Sequence, residues 1–384
     1  NKMRRNFINL IIAVIIIIAI WIYWSSNVEF SDTVNVLSIN NLFLKKYLIQ
    51  PYKKCQRKLK PCLNLINFYY IYSLHNANYF SASYTFKPPF LVIIVTSYVG
   101  HVELRSAHRR AMPQEYLKSL NATRIFLLAK IPHDEKLITQ EAVKDESNIF
   151  GDILQGSFVE NYRNLTFKHL MGLHWASTAC SKATFILKID DDIVFNLDST
   201  LKLLHEEKSD NLLLGYMLND TKPRRNMQNK WYVSPEEYSR NIYPSYLSGW
   251  YYIITPKLAA RISEEAMYHP YFWIDDIFIT GVLTESLNIK LKQLPKNYWL
   301  EYYELLECCL KDMIVKNIKC DYVVGPNGNR NNLILEFNES VRHCNSNKNC
   351  KKRSMKQLLN ETCVTFKERS IFGDGQAEIQ FIRL

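Results

Sequence analysis

Two short stretches leave carboxylates where an apolar chain should not have them. In FILKIDDDIVFNL, residues 185–197, an apolar run reaches Ile189, three aspartates follow, and apolar residues resume at Ile193. In WIDDIFITGVL, residues 273–283, Asp275 and Asp276 interrupt a second apolar run. Two ionised carboxylates held within about 4 Å cost several kcal/mol at moderate dielectric unless a cation intervenes. A hard divalent ion with oxygen ligands, Mg2+ or Mn2+, is the simplest remedy, and such ions also take substrate phosphates. Along an extended chain alternate side chains share a face, so Asp190 and Asp192 are expected to point together and Asp191 away. Two acidic motifs on one scaffold suggest a division of labour, one holding a metal and the other supplying a general base. The competing readings are an acidic loop whose Asp192 caps a helix, and aspartates favoured at a helix N-terminus.

Those carboxylates need a frame. FLVIIVTS (90–97), RIFLLAKI (124–131) and ATFILKI (183–189) are apolar, β-branched runs of the kind that form strands buried on both faces. An Arg-rich polar segment to about Leu120 and an acidic stretch to Ser147 separate the first three. Phe167, Leu170, Met171, His174 and Trp175 recur at helical spacing within 160–179. Further strand candidates are 212–218, 243–255 and 289–294, with a helix near 257–267. Alternating strands and helices predict an α/β layer with a largely parallel sheet. In such sheets ligands sit beyond the carboxyl ends of the strands, where Asp190, Asp191 and Asp192 fall.

The chain of 384 residues opens differently. Residues 7–24, FINLIIAVIIIIAIWIYW, carry no charge, follow Lys2, Arg4 and Arg5, and end in Trp and Tyr. They are expected to be a retained transmembrane anchor with residues 1–6 cytosolic and the rest on the far side; a cleaved signal peptide is the rival. Sequons at Asn121, Asn164, Asn219, Asn338 and Asn360 all follow it. Six of nine cysteines lie after residue 300 and read as a disulfide framework, while Cys180 is the expected free thiol. Residues 25–87 read as a stem that Cys55 and Cys62 tie. The net charge of +11 is assigned to the membrane surface or to anionic groups such as diphosphate, with no nucleic acid partner.

VTSYVGHVELRSAHRRAM (95–112), IFGDILQGSFVENYRNLTFKHLMGLHW (149–175), FILKIDDDIVFN, YPSYLSGW and IDDIFITG occur in order. Together they resemble the motifs of the β-1,3-galactosyltransferase and β-1,3-N-acetylglucosaminyltransferase family over residues 88–290. The resemblance implies a GT-A (Rossmann-like) fold in a type II Golgi membrane protein. It also implies Mn2+, a UDP-Gal or UDP-GlcNAc donor, a glycan acceptor on lipid or protein, and inversion at the anomeric carbon. Asp190 and Asp192 would hold the metal, Asp191 would contact ribose or sugar, and Asp276 would be the base. Thr96, Ser97, Arg105 and Arg109 would line the uridine and phosphate end, Lys168 would sit near the nucleotide pocket, and Gly249 would belong to the donor site. The catalytic domain would run over 88–300, followed by a Cys-rich extension, 301–384. Departures from the family pattern are His108, Ala111-Met112, Asp275 in place of Glu, Trp250-Tyr251 after Gly249, and no His between His269 and His343. They leave two rivals open, an inactive lumenal binding protein or chaperone of the same fold and a metal-dependent phosphoesterase.

Overall fold

A computed structural model describes residues 70–72, 88–295, 298–346, 350–354, 358–369 and 378–383. The expected anchor at 7–24, most of the expected stem, Cys55 and Cys62 lie outside the described residues. Among those described, no helix is long and apolar enough to cross a membrane.

The elements run β1 (Tyr70–Tyr72), β2 (Leu91–Thr96), α1 (Val102–Ala111), α2 (Gln114–Ser119), β3 (Ala122–Lys130), α3 (Gln140–Phe150), β4 (Ile153–Val159), α4 (Leu165–Ala179), β5 (Phe185–Asp190), β6 (Ile193–Phe195) and α5 (Leu197–Glu206). There follow β7 (Leu213–Leu218), β8 (Tyr246–Ile254), α6 (Pro256–Glu265), a π-helical turn (Ile277–Val282) running into α7 (Leu283–Ser286), and β9 (Lys292–Gln293). Beyond residue 300 come α8 (Tyr303–Lys316), β10 (Val324–Pro326), α9 (Asn331–Ser346), α10 (Leu359–Thr362), β11 (Val364–Arg369) and β12 (Glu378–Arg383).

One eight-stranded sheet has the order β1-β4-β3-β2-β5-β8-β7-β9. Its centre, β4-β3-β2-β5, is parallel, and β8 runs antiparallel to both β5 and β7. The expectation of a largely parallel sheet therefore holds for the part that carries the acidic motif. Every residue of β2 is buried, as its β-branched run requires. Alternate residues serve opposite faces. Leu91, Ile93 and Val95 join one core, while Val92 and Ile94 join the other, under α4 and α6.

Local punctuation sets the loops. Pro113, which cannot continue a helix, separates α1 from α2, so the Arg-rich segment is two helices. Thr139 caps α3, and Gly151 ends it at φ 63°, a left-handed conformation that glycine adopts at no steric cost. The strand β4 was not expected: Gly156, Gln155 and Ser157 dilute its apolar pattern. The helix expected over 160–179 starts only at Leu165, after a 3-10 turn at Tyr162–Asn164.

Residues past 300 share the core of the sheet. Leu306, Leu333, Ile334 and Phe337 are fully buried in the same cluster as Leu91 and Ile93, and burying one such side chain stabilises by about 1.5–3 kcal/mol. The strand β10 pairs antiparallel with β6, immediately after the aspartates. Bridges Cys308–Cys363, Cys309–Cys320 and Cys344–Cys350 tie this part together, and Cys180 is a free, buried thiol, both as expected. Of the sequons, Asn219 is exposed whereas Asn338 is buried, its amide donating to the Ile334 carbonyl.

Candidate active site

Parallel register brings the two parts of the site together. Asp190, the last residue of β5, is paired with Thr96, the last of β2. The chain then leaves the sheet, with the Asp191 N–H donating to the Thr96 carbonyl at 3.0 Å. The Asp192 carbonyl accepts from the Asn327 N–H at 2.9 Å, so β10 seats the far end of the motif.

The three aspartates face different partners. The Asp190 carboxylate takes the Lys188 ammonium at 2.5 Å, and the same ammonium donates to the Gly249 carbonyl. Asp191 turns to α1: its carboxylate meets His101 Nδ1 at 2.9 Å, and its carbonyl meets His108 Nε2 at 2.8 Å. Burial pushes Asp190 up to about 7 against the pull of Lys188, with Asp192 and Asp275 adding to the rise. Burial and the Asp191 charge raise Asp192 as well. The Thr96 hydroxyl is buried beside this turn without a hydrogen-bond partner.

The second motif arrives from across β8. A Cβ on Gly249 would stand 3.2 Å from the Asp276 Cβ and 3.6 Å from Lys188 Nζ, so any larger residue would press on Asp276. Asp275 and Asp276 are adjacent in sequence and opposite in environment. His169 is buried and holds Asp275 at 2.8 Å through Nδ1, while its Nε2 meets the Tyr252 hydroxyl. Burial, the largest single influence, would raise Asp275, but the His169 hydrogen bond, the His169 and Lys188 charges and a backbone hydrogen bond together leave the group below the usual carboxylate range. Asp276 accepts from the Ile277 N–H at 2.8 Å and has no such cationic or imidazole partner. Burial and the Asp275 charge push it up to about 7. A carboxylate poised near neutrality, beside one that stays ionised, has the properties a general base requires.

Other residues expected to touch a donor are placed behind this cluster. Arg105 is fully buried; it binds Glu146 through Nε at 2.8 Å and Nη2 at 2.7 Å, and its remaining donors go to Ser97 Oγ and the carbonyls of Tyr98 and Val99. Arg109 grips both oxygens of Asp152, at 3.0 and 2.7 Å, and reaches Glu146 at 2.7 Å. Its guanidinium also lies 4.0 Å from the centre of the Phe150 ring. Lys168 is buried on Glu160 at 2.6 and 2.7 Å and on the Ser97 carbonyl at 2.7 Å. The bonds of Arg105 and Lys168 fix the Ser97–Val99 loop beside the acidic turn, and those of Arg109 join α1 to Glu146 of α3 and to Asp152 before β4.

Sequence reasoning missed His101, Glu146, Asp152 and Asn327. It also placed His169 in packing, whereas the ring holds Asp275 through a contact spanning 106 residues. The Trp-Tyr pairs do serve packing, with Tyr216, Trp299 and Trp250 stacked in series.

A family profile described as Galactosyltransferase matches residues 104–295. The beta-1,3-galactosyltransferase 5 of Pan paniscus is 34% identical over 209 residues, covering 54% of this chain and 68% of that protein. The beta-1,3-galactosyltransferase 1 of Mus musculus is 32% identical over 222 residues, covering 56% and 67%. Human beta-1,3-galactosyltransferase 2 is 30% identical over 224 residues, covering 57% and 52%. Among solved structures, the galactosyltransferase LgtC in complex with donor and acceptor sugar analogues superposes with a TM-score of 0.35 at 10% identity, covering 69% of this chain and 98% of that one. The paired acidic motifs and the family match define a glycosyltransferase. The chain belongs to the galactosyltransferase family.

Proposed function

We propose that this chain is an inverting β-1,3-glycosyltransferase that moves galactose or N-acetylglucosamine from a UDP-sugar to a glycan hydroxyl. The observation that carries the reading is the unequal treatment of Asp275 and Asp276. Asp276, raised to about 7 and unpaired with a cation, takes the proton of the attacking hydroxyl as the bond to the anomeric carbon forms. A single displacement with one base inverts configuration and needs no second carboxylate as nucleophile. Lys188 ties Asp190 to the Gly249 carbonyl, and His169 prevents Asp275 from competing for the proton.

No three His, Cys, Asp or Glu side chains converge as a metal cage among the described residues. Asp190 and Asp192 nonetheless fit a hard ion such as Mn2+, because both are raised by burial and by neighbouring negative charge that a cation would relieve. Two carboxylates completed by water and diphosphate oxygens suit such ions. When bound there, the metal would neutralise charge on the departing UDP. The remaining parts of the reading are an anchor at 7–24 and a Golgi membrane location with the catalytic part lumenal.

The deciding experiment measures thermal stability of the full chain with UDP and Mn2+, together and singly, alongside UDP release from UDP-Gal and UDP-GlcNAc. A shift that needs both components and disappears in Asp192→Ala supports the reading, since a ligand at about a hundred times its Kd adds roughly 2.7 kcal/mol. A chain indifferent to millimolar UDP would instead be a non-catalytic member of the family.

A further inference from the structure

The loop between β7 and β8, residues 219–245, carries side chains that neither the sheet nor the carboxylate cluster uses. Trp231 there is 48% exposed, and Tyr162, on the turn before α4, is 43% exposed. Exposed aromatics scattered singly need no explanation, but these two are joined. Trp231 Nε1–H donates to the Tyr162 hydroxyl at 2.9 Å. The Lys230 ammonium lies 4.4 Å from the Tyr162 ring centre and 5.8 Å from that of Trp231. Inward, Tyr162 meets the buried Trp273 ring at 5.9 Å, three residues before Asp276, and the Trp273 Nε1–H has no partner. The guanidinium of Arg163 covers Trp273 at 4.6 Å. The phenol is also within electrostatic reach of the reacting groups: burial raises its pKa, and Asp275, Asp276 and Asp190 add to the rise.

An aromatic surface that carries a phenol O–H and an ammonium, near a base, matches one kind of ligand well. A pyranose offers one face of C–H groups for an aromatic ring and a rim of hydroxyls for the donors. We propose that Tyr162 and Trp231 form the acceptor subsite, seating a terminal pyranose by its C–H face so that one ring hydroxyl reaches Asp276. This rests on the glycosyl-transfer reading with Asp276 as base. The subsite spans two segments, the turn at Tyr162 and the loop at Trp231, that meet only in the folded chain.

The test applies the full chain, with UDP and Mg2+, to an array of glycans ending in different hexopyranoses, and follows UDP-dependent thermal stabilisation in parallel. Wild type is expected to retain a subset of the glycans. Trp231→Ala should weaken that binding about tenfold or more, and Trp231→Phe should recover most of it. All three proteins should keep the stabilisation by UDP. Undiminished glycan binding by Trp231→Ala overturns the proposal, as does a wild-type chain that UDP stabilises but that retains no glycan. A wild-type chain that UDP does not stabilise is a separate result, which removes the transferase reading and the acceptor role together.

Discussion

Between α1 and α3, Arg105, Arg109 and Arg124 interleave with Glu146 and Asp152 until each carboxylate oxygen has a guanidinium partner. A few residues away, Asp190, Asp191, Asp192, Asp275 and Asp276 share the Lys188 ammonium, the half-exposed His101 and the buried His169. Both regions bury charge against the same sheet. In the first the cations outnumber the carboxylates, three to two, and hold Glu146 below the usual carboxylate range despite its burial. In the second they do not, and Asp190 and Asp276 rise to about 7. A satisfied lattice supports a loop and has no need of a ligand. An unsatisfied one is stabilised by whatever cation or proton it is given, and that need is what marks a reaction site.

The largest test of this contrast is to unbalance the satisfied side. Arg105→Met leaves Glu146 with Arg109 alone and the Tyr98 and Val99 carbonyls without their donor, and is expected to cost about 3–5 kcal/mol in denaturant unfolding. The double change Arg105→Met with Glu146→Leu should regain most of that loss. If the single variant unfolds at the wild-type midpoint, the lattice is not what fixes the loop. The same kind of change in the cluster should act in the opposite sense. Asp276→Asn is expected to lower kcat about 10²–10⁴-fold while leaving UDP-dependent stabilisation intact and raising the melting temperature. Wild-type turnover in that variant would exclude Asp276 as base. Gly249→Ala sharpens the comparison further, because its methyl group must displace Asp276 by a few tenths of an ångström. A loss of about tenfold in kcat with little change in stability is expected.

The smallest effect is one of position along the pH axis. Asp276 sits at about 7 in the folded chain, above an unfolded value of about 3.9. The folded state therefore binds its proton more tightly, and this group's share of stability is lost as pH rises from about 4 to about 7. Activity needs the ionised form, so kcat/KM should climb through that upper limit just as stability declines. A pH–rate profile flat between 6 and 8 would contradict the assignment.

The unsatisfied region was the more legible of the two in the sequence. Three aspartates after an apolar run stand out in any composition, so FILKIDDD announced the strand, Phe185–Asp190, and drew attention to the carboxylates at its end. The satisfied lattice was not legible, because Arg105 and Glu146 are 41 residues apart and neither is unusual alone. The Arg-rich motif read only as donor contacts, and its pairing with Glu146 and Asp152 became visible with the fold. His169 escaped for a similar reason: helical spacing showed a packed face, and only the fold shows that Asp275 lies opposite. The strand β4 was hidden by Gly156 and two polar neighbours, and β10 by its brevity.

The pairing of β10 with β6 has a consequence in time as well as in space. Residues 193–195 leave the ribosome well before residues 324–326, and at about 5–20 residues per second the gap is on the order of ten seconds. During that interval the aspartate turn has its sheet but lacks the neighbouring strand and the Asn327 N–H that holds the Asp192 carbonyl. Nascent chains would thus carry the motif before they could seat it, so competence waits until residues 324–327 have emerged and paired. A message cut short after residue 300 should yield a chain with every family motif and no UDP-dependent protection from proteolysis. Such protection in the shortened chain would show that the turn seats itself.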